Sequence, residues 1–307
     1  MYHLEKEQWG PYEVVRLEDH AAGTGFSVAP QRGACLLDLH LGGRNVLDGY
    51  GDASGLESLD WAKSALLAPF PNRLKDGRYR AGGEEYQFPL NDVERGNALH
   101  GFVLDKPFEV GEVLAEEGYA SMVLKYAYAG DLAYFPFPFL LRVSYSLKKG
   151  AGFEMTMEME NTGVQEMPAG MGWHPYFGLG APVGWMELEL PPVERVEVDG
   201  RMIPTGEKTP FVEFQKTRTL DGVQFDTGFR LLGQGPVAEV ALGLGPFRLG
   251  YWQDQGFPFL QVFTPPARRS IALEPMTCNI DAFHNGEGLR MLRPGERIQG
   301  KAGIRLI

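Results

Sequence analysis

Four short segments combine side chains able to move protons or donate hydrogen bonds with Gly, Pro and aromatic neighbours. They are Asn72–Tyr79 (NRLKDGRY), Asn97–Phe102 (NALHGF), Gly172–Phe177 (GWHPYF) and Leu273–Thr277 (LEPMT), with a weaker fifth at Phe225–Arg230 (FDTGFR). Such surroundings suit loops and strand ends that line a pocket. The residue types allow general acid–base chemistry: imidazoles at His100 and His174, carboxylates at Asp226 and Glu274, and a guanidinium fork at Arg73. Singly, each also has a structural reading. His100 can bond to backbone in a core, His174 can cap a turn before Pro175, Arg73 can lie at the surface beyond Pro69 and Pro71, and Asp226 can serve a turn. Glu274 stands out, because it follows an apolar strand end (Ile271, Leu273) where a lone glutamate is rarely buried. A metal site would draw on His100, His174, His284 and Glu274, but none of them shows a short ligand spacing such as His-x-His, and no metal is expected.

The elements that must carry these residues read as strands. Alternation is clearest at Phe153–Met159 (FEMTMEM), with Phe153, Met155, Met157 and Met159 on one face. Similar patterns cover Tyr119–Tyr128, Phe139–Leu147, Trp185–Leu190, Val193–Val198, Phe247–Trp252, Phe259–Phe263 and Ile298–Ile307. One helix is expected, at Ser54–Leu67 (SGLESLDWAKSALL), from a serine cap and a glutamate three residues later. With no βαβ rhythm, linker or internal repeat, the pattern predicts an all-β fold. That fold is a large antiparallel β-sandwich with few short helices, forming a single domain over residues 1–307.

Gly and Pro make up about a fifth of the 307 residues, which favours many turns between short strands. A net charge of -11 argues against a nucleic-acid partner and suits a neutral ligand. Two cysteines, Cys35 and Cys278, are too few for a disulfide framework, and the charged start MYHLEKEQWG lacks the apolar run of a signal peptide, so a cytoplasmic location is expected. The most apolar stretch, Leu132–Leu141, holds two prolines and is about half a membrane span in length. No membrane association is expected.

The order NR, LHG, HPYF, D, EP, at Asn72–Arg73, Leu99–Gly101, His174–Phe177, Asp226 and Glu274–Pro275, resembles the aldose 1-epimerase (galactose mutarotase) family. The likeness runs from about Ala68 to Pro294, and the EPMT segment continues into Asp281, Ala282, Phe283 and Gly286. No single motif is specific, whereas the ordered set is. The resemblance implies a galactose mutarotase-like supersandwich with a sugar in an open groove. It implies Glu274 as general base, His174 as general acid, and Arg73, His100 and Asp226 as groups that hold the sugar, with Asn72 and Trp173 beside them. Two departures are expected to alter the pocket lining and so the choice of sugar: Trp173 stands where many members have Asn, and Phe102 where they have a second Gly. Trp61, Trp173 and Tyr176 are aromatics that can cover the apolar face of a sugar ring, with Trp61 and Tyr176 expected in the core in preference to the pocket.

The activity so implied is the interconversion of α and β anomers of a free aldose. The anomeric hydroxyl loses a proton while the ring oxygen gains one, the aldehyde opens, and reclosure after rotation about C1–C2 gives the other anomer. Two opposed proton carriers suffice. No hydride, phosphoryl group or electron moves, so no cofactor is expected. The competing expectations are a hexose-6-phosphate mutarotase, with an added cationic pocket from Lys75, Arg78 and Arg80, and a non-catalytic sugar-binding module.

Overall fold

The computed structural model describes residues 1–233 and 235–307. Its centre is the hairpin of Phe139–Lys148 and Gly152–Asn161, where Leu147 faces Phe153, Tyr145 faces Met155 and Val143 faces Met157. Side chains alternate across a strand, so this register turns every second residue into the core. The hairpin lies within a nine-stranded antiparallel sheet. Its order is Glu109–Glu116, Tyr119–Tyr128, Phe139–Lys148, Gly152–Asn161, Arg297–Leu306, Phe247–Asp254, Val237–Leu244, Glu187–Glu189 and Arg218–Thr219.

A second, eight-stranded sheet runs Pro204–Phe211, Val193–Val198, Asp226–Leu231, Phe259–Phe263, Ile271–Met276, Gly172–Trp173 and Leu66–Leu67, with Tyr176–Phe177 also paired to Ile271–Met276. The two sheets meet through aromatic side chains. Phe153 packs on Trp173 at 6.2 Å between ring centres and Tyr251 on Phe177 at 5.7 Å. A five-stranded meander over residues 3–45 adds Phe26 against Tyr145 and Phe153. One buried apolar cluster draws on all three sheets. This is the all-β sandwich that the alternation predicts.

The sheet ends are irregular. Pro204–Phe211 carries Pro204, Pro210 and Lys208, and Glu109–Glu116 shifts register between Val110 and Val113. The opposite ends, Arg218–Thr219 and Leu66–Leu67, are two residues each.

The helix expected over Ser54–Leu67 is much shorter. Only Ala53–Ser58 is α-helical, capped by Asp52 rather than Ser54, with Asp52 Oδ1 accepting from the Gly55 amide at 2.9 Å. Leu59 turns left-handed at φ 49° and ends it. A single turn at Asp60–Ala62 follows, and Leu66–Leu67 joins the eight-stranded sheet. Among the described residues no helix is long and apolar enough to cross a membrane.

Candidate functional site

The floor of the site is one face of the eight-stranded sheet, and its composition follows from register. Asp226 faces Phe263, Gly228 faces Gln261, and Gln261 faces Glu274. Next to Glu274 the chain from Gly172 to Phe177 is interrupted by Pro175. Gly172 nonetheless faces Met276 and Tyr176 faces Ala272, so the unbroken count places His174 opposite Glu274. Partners across a ladder share a face. The sheet thus presents Gly228, Gln261, Glu274 and His174 as one row, with Asp226, Phe263, Ala272 and Tyr176 as the row beside it.

The same alternation corrects the expectation for Trp173. Adjacent residues of an extended segment point to opposite faces, so if His174 faces the site Trp173 faces the other sheet. It is fully buried against Phe153 and does not line the cleft. Phe102 likewise packs on Tyr128, Phe135 and Phe139. Neither departure from the family pattern therefore changes the lining. Trp61 and Tyr176, expected in the core, do line the cleft.

The remaining polar groups come from two loops over the sheet. Asn72 and His100 both adopt left-handed backbone, at φ 55° and 66°. The His100 amide donates to Asn72 O at 2.8 Å, and the Asn72 amide donates to His100 Nδ1 at 3.2 Å. With Nδ1 accepting, the ring proton of neutral His100 lies on Nε2. Burial, with His174 and Arg73 nearby, pushes His100 well below the usual histidine value. Gly101 is dictated by backbone: its φ is 69°, and a Cβ would lie 1.9 Å from Ala68 O. Arg73 is aimed from behind, its Nε donating to Asp92 Oδ2 at 2.8 Å and its Nη1 to Asn72 Oδ1 at 3.3 Å. Gln261 Nε2 donates to Asp226 Oδ1 at 2.8 Å.

These groups enclose a cleft of about 350 Å³ lined by Asn72, Arg73, His100, His174, Asp226 and Glu274, together with Gln261, Asn91 and an apolar rim. At its floor His174 Nε2 lies 3.4 Å from Glu274 Oε1, both side chains almost wholly buried. Burial lowers His174 to about 4. It raises Glu274 well above the carboxylate range, an effect that Asp226 reinforces and Arg73 opposes. His174 stacks on Tyr176 at 5.0 Å and meets the edge of His100 at 5.2 Å. Glu274 Oε2 and Gln261 Oε1 are buried without a protein partner among the described residues.

Every site residue expected from sequence other than Trp173 is thus brought to one cleft. His284 is not; its Nδ1 pairs with Asp281 at 2.7 Å outside the cleft. Sequence reasoning missed Gln261, although a single polar residue in the apolar strand FLQVF was a usable signal, and Asp92, for which the segment NDVERGN carried none.

Comparison with known proteins agrees with this geometry. The aldose 1-epimerase family profile matches residues 14–305. An uncharacterised Escherichia coli (strain K12) protein, YihR, is 26% identical over 237 residues, covering 75% of each chain. Among solved structures, a galactose mutarotase-like protein from Clostridium acetobutylicum superposes with a TM-score of 0.89 at 20% identity, covering 100% of this chain and 98% of that one. The galactose 1-epimerase of Lactobacillus acidophilus NCFM does so with a TM-score of 0.84 at 17% identity, covering 100% and 99%. These two share the fold, and the profile match over nearly the whole length settles the kinship: the chain belongs to the aldose 1-epimerase family.

Proposed function

We propose that this protein interconverts the α and β anomers of a free aldose by ring opening and reclosure between Glu274 and His174, without a cofactor. The observation that carries this reading is the buried pair itself, an imidazole and a carboxyl 3.4 Å apart at the floor of a polar cleft. A binding module has no use for two opposed proton carriers almost wholly buried at the floor of its cleft.

The pair holds one proton, since imidazolium with carboxylate has the same composition as imidazole with carboxylic acid. Burial favours the uncharged arrangement in the open cleft. Burial is the main cause on both groups and Asp226 a lesser one on Glu274; for His174 to act as the acid the proton must lie on its ring when sugar is bound, an arrangement that Arg73 and hydroxyls donating to Asp226 favour. Glu274 then takes the proton of the C1 hydroxyl as His174 gives one to the ring oxygen. The C1–O5 bond breaks, its electrons going to the protonated ring oxygen, and the electron pair left on O1 by the departing proton forms the second bond of the carbonyl. Rotation about C1–C2 and the reverse transfers close the other anomer, each carrier contributing roughly 10²–10⁴-fold. Arg73, Asn72 and His100 Nε2 donate to sugar hydroxyls, and Asp226 and Gln261 Oε1 accept from them.

A phosphorylated sugar is a poorer fit. Among the described lining residues Arg73 is the one Lys or Arg, and it is already paired with Asp92. Arg78 and Arg80 lie outside the cleft on an exposed hairpin, bonded to Gln87 and Glu85.

The test is NMR exchange between anomers over a panel of free and phosphorylated sugars. Glu274→Gln is expected to slow exchange at least about 10²-fold while sugar binding is kept, and exchange at the wild-type rate would remove Glu274 from its role. His174→Asn is expected to lose turnover; a rise in KM alone would make it a binding group. Preference for glucose 6-phosphate over glucose would overturn the free-sugar assignment.

A further inference from the structure

The cleft is divided by chemistry. Its buried polar groups lie on the floor, whereas Trp61, Ala62, Leu99, Leu104 and Phe263 form a partly exposed, mainly apolar rim, with the exposed Asn91 bonded to the backbone of Leu99. Trp61 is 52% exposed and stacks on Phe263 at 6.0 Å with the rings 25° apart. Phe263 is in turn the ladder partner of Asp226, so the aromatic surface starts where the hydroxyl-binding groups end.

The turn that presents Trp61 is held in an unfavourable shape. Leu59, Trp61, Ala62 and Ser64 all have left-handed backbone, at φ 49°, 64°, 49° and 55°. Tyr50 Oη fastens the turn, donating to Asp60 O at 3.0 Å and accepting from the Lys63 amide at 2.9 Å. The Ser64 amide donates to His174 O at 2.8 Å, which ties the rim to the backbone of the proposed acid. Backbone of this kind persists where surroundings over-determine it, as at ligand clamps.

We propose that the Trp61–Phe263 stack is a second carbohydrate subsite, on which the ring attached to the reacting sugar of a reducing disaccharide lies. The inference rests on the mutarotase reading above. A pyranose offers hydroxyls at its edge and C–H groups on its face. The floor suits the edge of one ring, and a flat exposed indole suits the face of the next. The chain's charge of -11 and the absence of Lys or Arg among the described rim residues fit a neutral extension rather than an anionic one.

The experiment measures anomer exchange by NMR for glucose and galactose and for maltose, cellobiose and lactose, with the wild type, Trp61→Ala and Trp61→Phe. The wild type is expected to turn over at least one disaccharide. Trp61→Ala is expected to lower the ratio of disaccharide to monosaccharide kcat/KM at least tenfold, and Trp61→Phe to restore most of it. An equal fall for both classes of sugar in Trp61→Ala would overturn the proposal, because the turn would then serve the reacting ring or the fold. Wild-type turnover of monosaccharides but of no disaccharide would overturn it while leaving the mutarotase reading intact. A wild type inactive on every sugar would remove both.

Discussion

At the scale of single residues, Glu274 and His174 are placed where each is least comfortable as an ion. Glu274 is raised by burial, so its folded form keeps a proton that the unfolded chain releases near the ordinary value of 4.5. Its stabilising contribution is complete below that value and is lost as pH rises through the folded pKa. His174 is lowered to about 4 from 6.5, so its contribution is complete above 6.5 and is lost as pH falls towards 4. Two outcomes follow. The proposed mechanism requires a single proton on the pair, so the acid limb of the rate profile is expected near 4 rather than 6.5, as stopped-flow polarimetry across pH 3–8 would measure. Glu274→Gln removes the titrating carboxyl. Its melting temperature is expected to exceed that of the wild type at pH 7, by about 2–4 °C per kcal/mol gained, with the gap closing below pH 4.5. A gap independent of pH would mean that burial of the charge is not its source.

At the scale of elements, strands buried on one face were the legible ones, because their alternation is written into the chain. Phe139–Lys148 and Gly152–Asn161 are of this kind. His3–Trp9 is exposed almost throughout and does not alternate, so nothing in its pattern marks a strand; Ile271–Met276 is buried throughout, and only its apolar end at Ile271 and Leu273 is legible. The latter carries Glu274, whose neighbours in the site were therefore invisible without the register. The long helix was over-read because residues 59–64 keep apolar spacing while the backbone turns left-handed at Leu59, Trp61, Ala62 and Ser64. Trp173 was misplaced although alternation with His174 sufficed to place it. Gly101 is the element-level feature with the sharpest consequence. Gly101→Ala would meet Ala68 O and the strained φ together, displacing His100. It is expected to lower stability by at least about 1 kcal/mol and to raise KM more than it lowers kcat, read by denaturant titration alongside kinetics. Unchanged KM would show that the His100 loop is not fixed by this contact.

At the scale of the whole molecule, the sandwich separates catalysis from cohesion: one face of the eight-stranded sheet bears the cleft and the other is sealed against the nine-stranded sheet through Trp173, Phe177 and their partners. Trp173→Phe is accordingly expected to leave KM within about twofold, while its effect on folding stays within the ~1–3 kcal/mol typical of a core shape change, measured by parallel kinetics and urea unfolding. A large rise in KM alone would return Trp173 to the pocket.

The nine- and eight-stranded sheets leave four rims at which foreign backbone could dock, beside the edge strand His3–Trp9 of the five-stranded meander. The two longer rims are spoiled, one by Pro204, Pro210 and Lys208 and the other by the register slip between Val110 and Val113, while the other two are only two residues long. Prolines, bulges, charge and brevity are the features by which β proteins resist templated strand addition. The two large sheets that build and back the cleft therefore carry, along their own rims, features that oppose amyloid-like self-association.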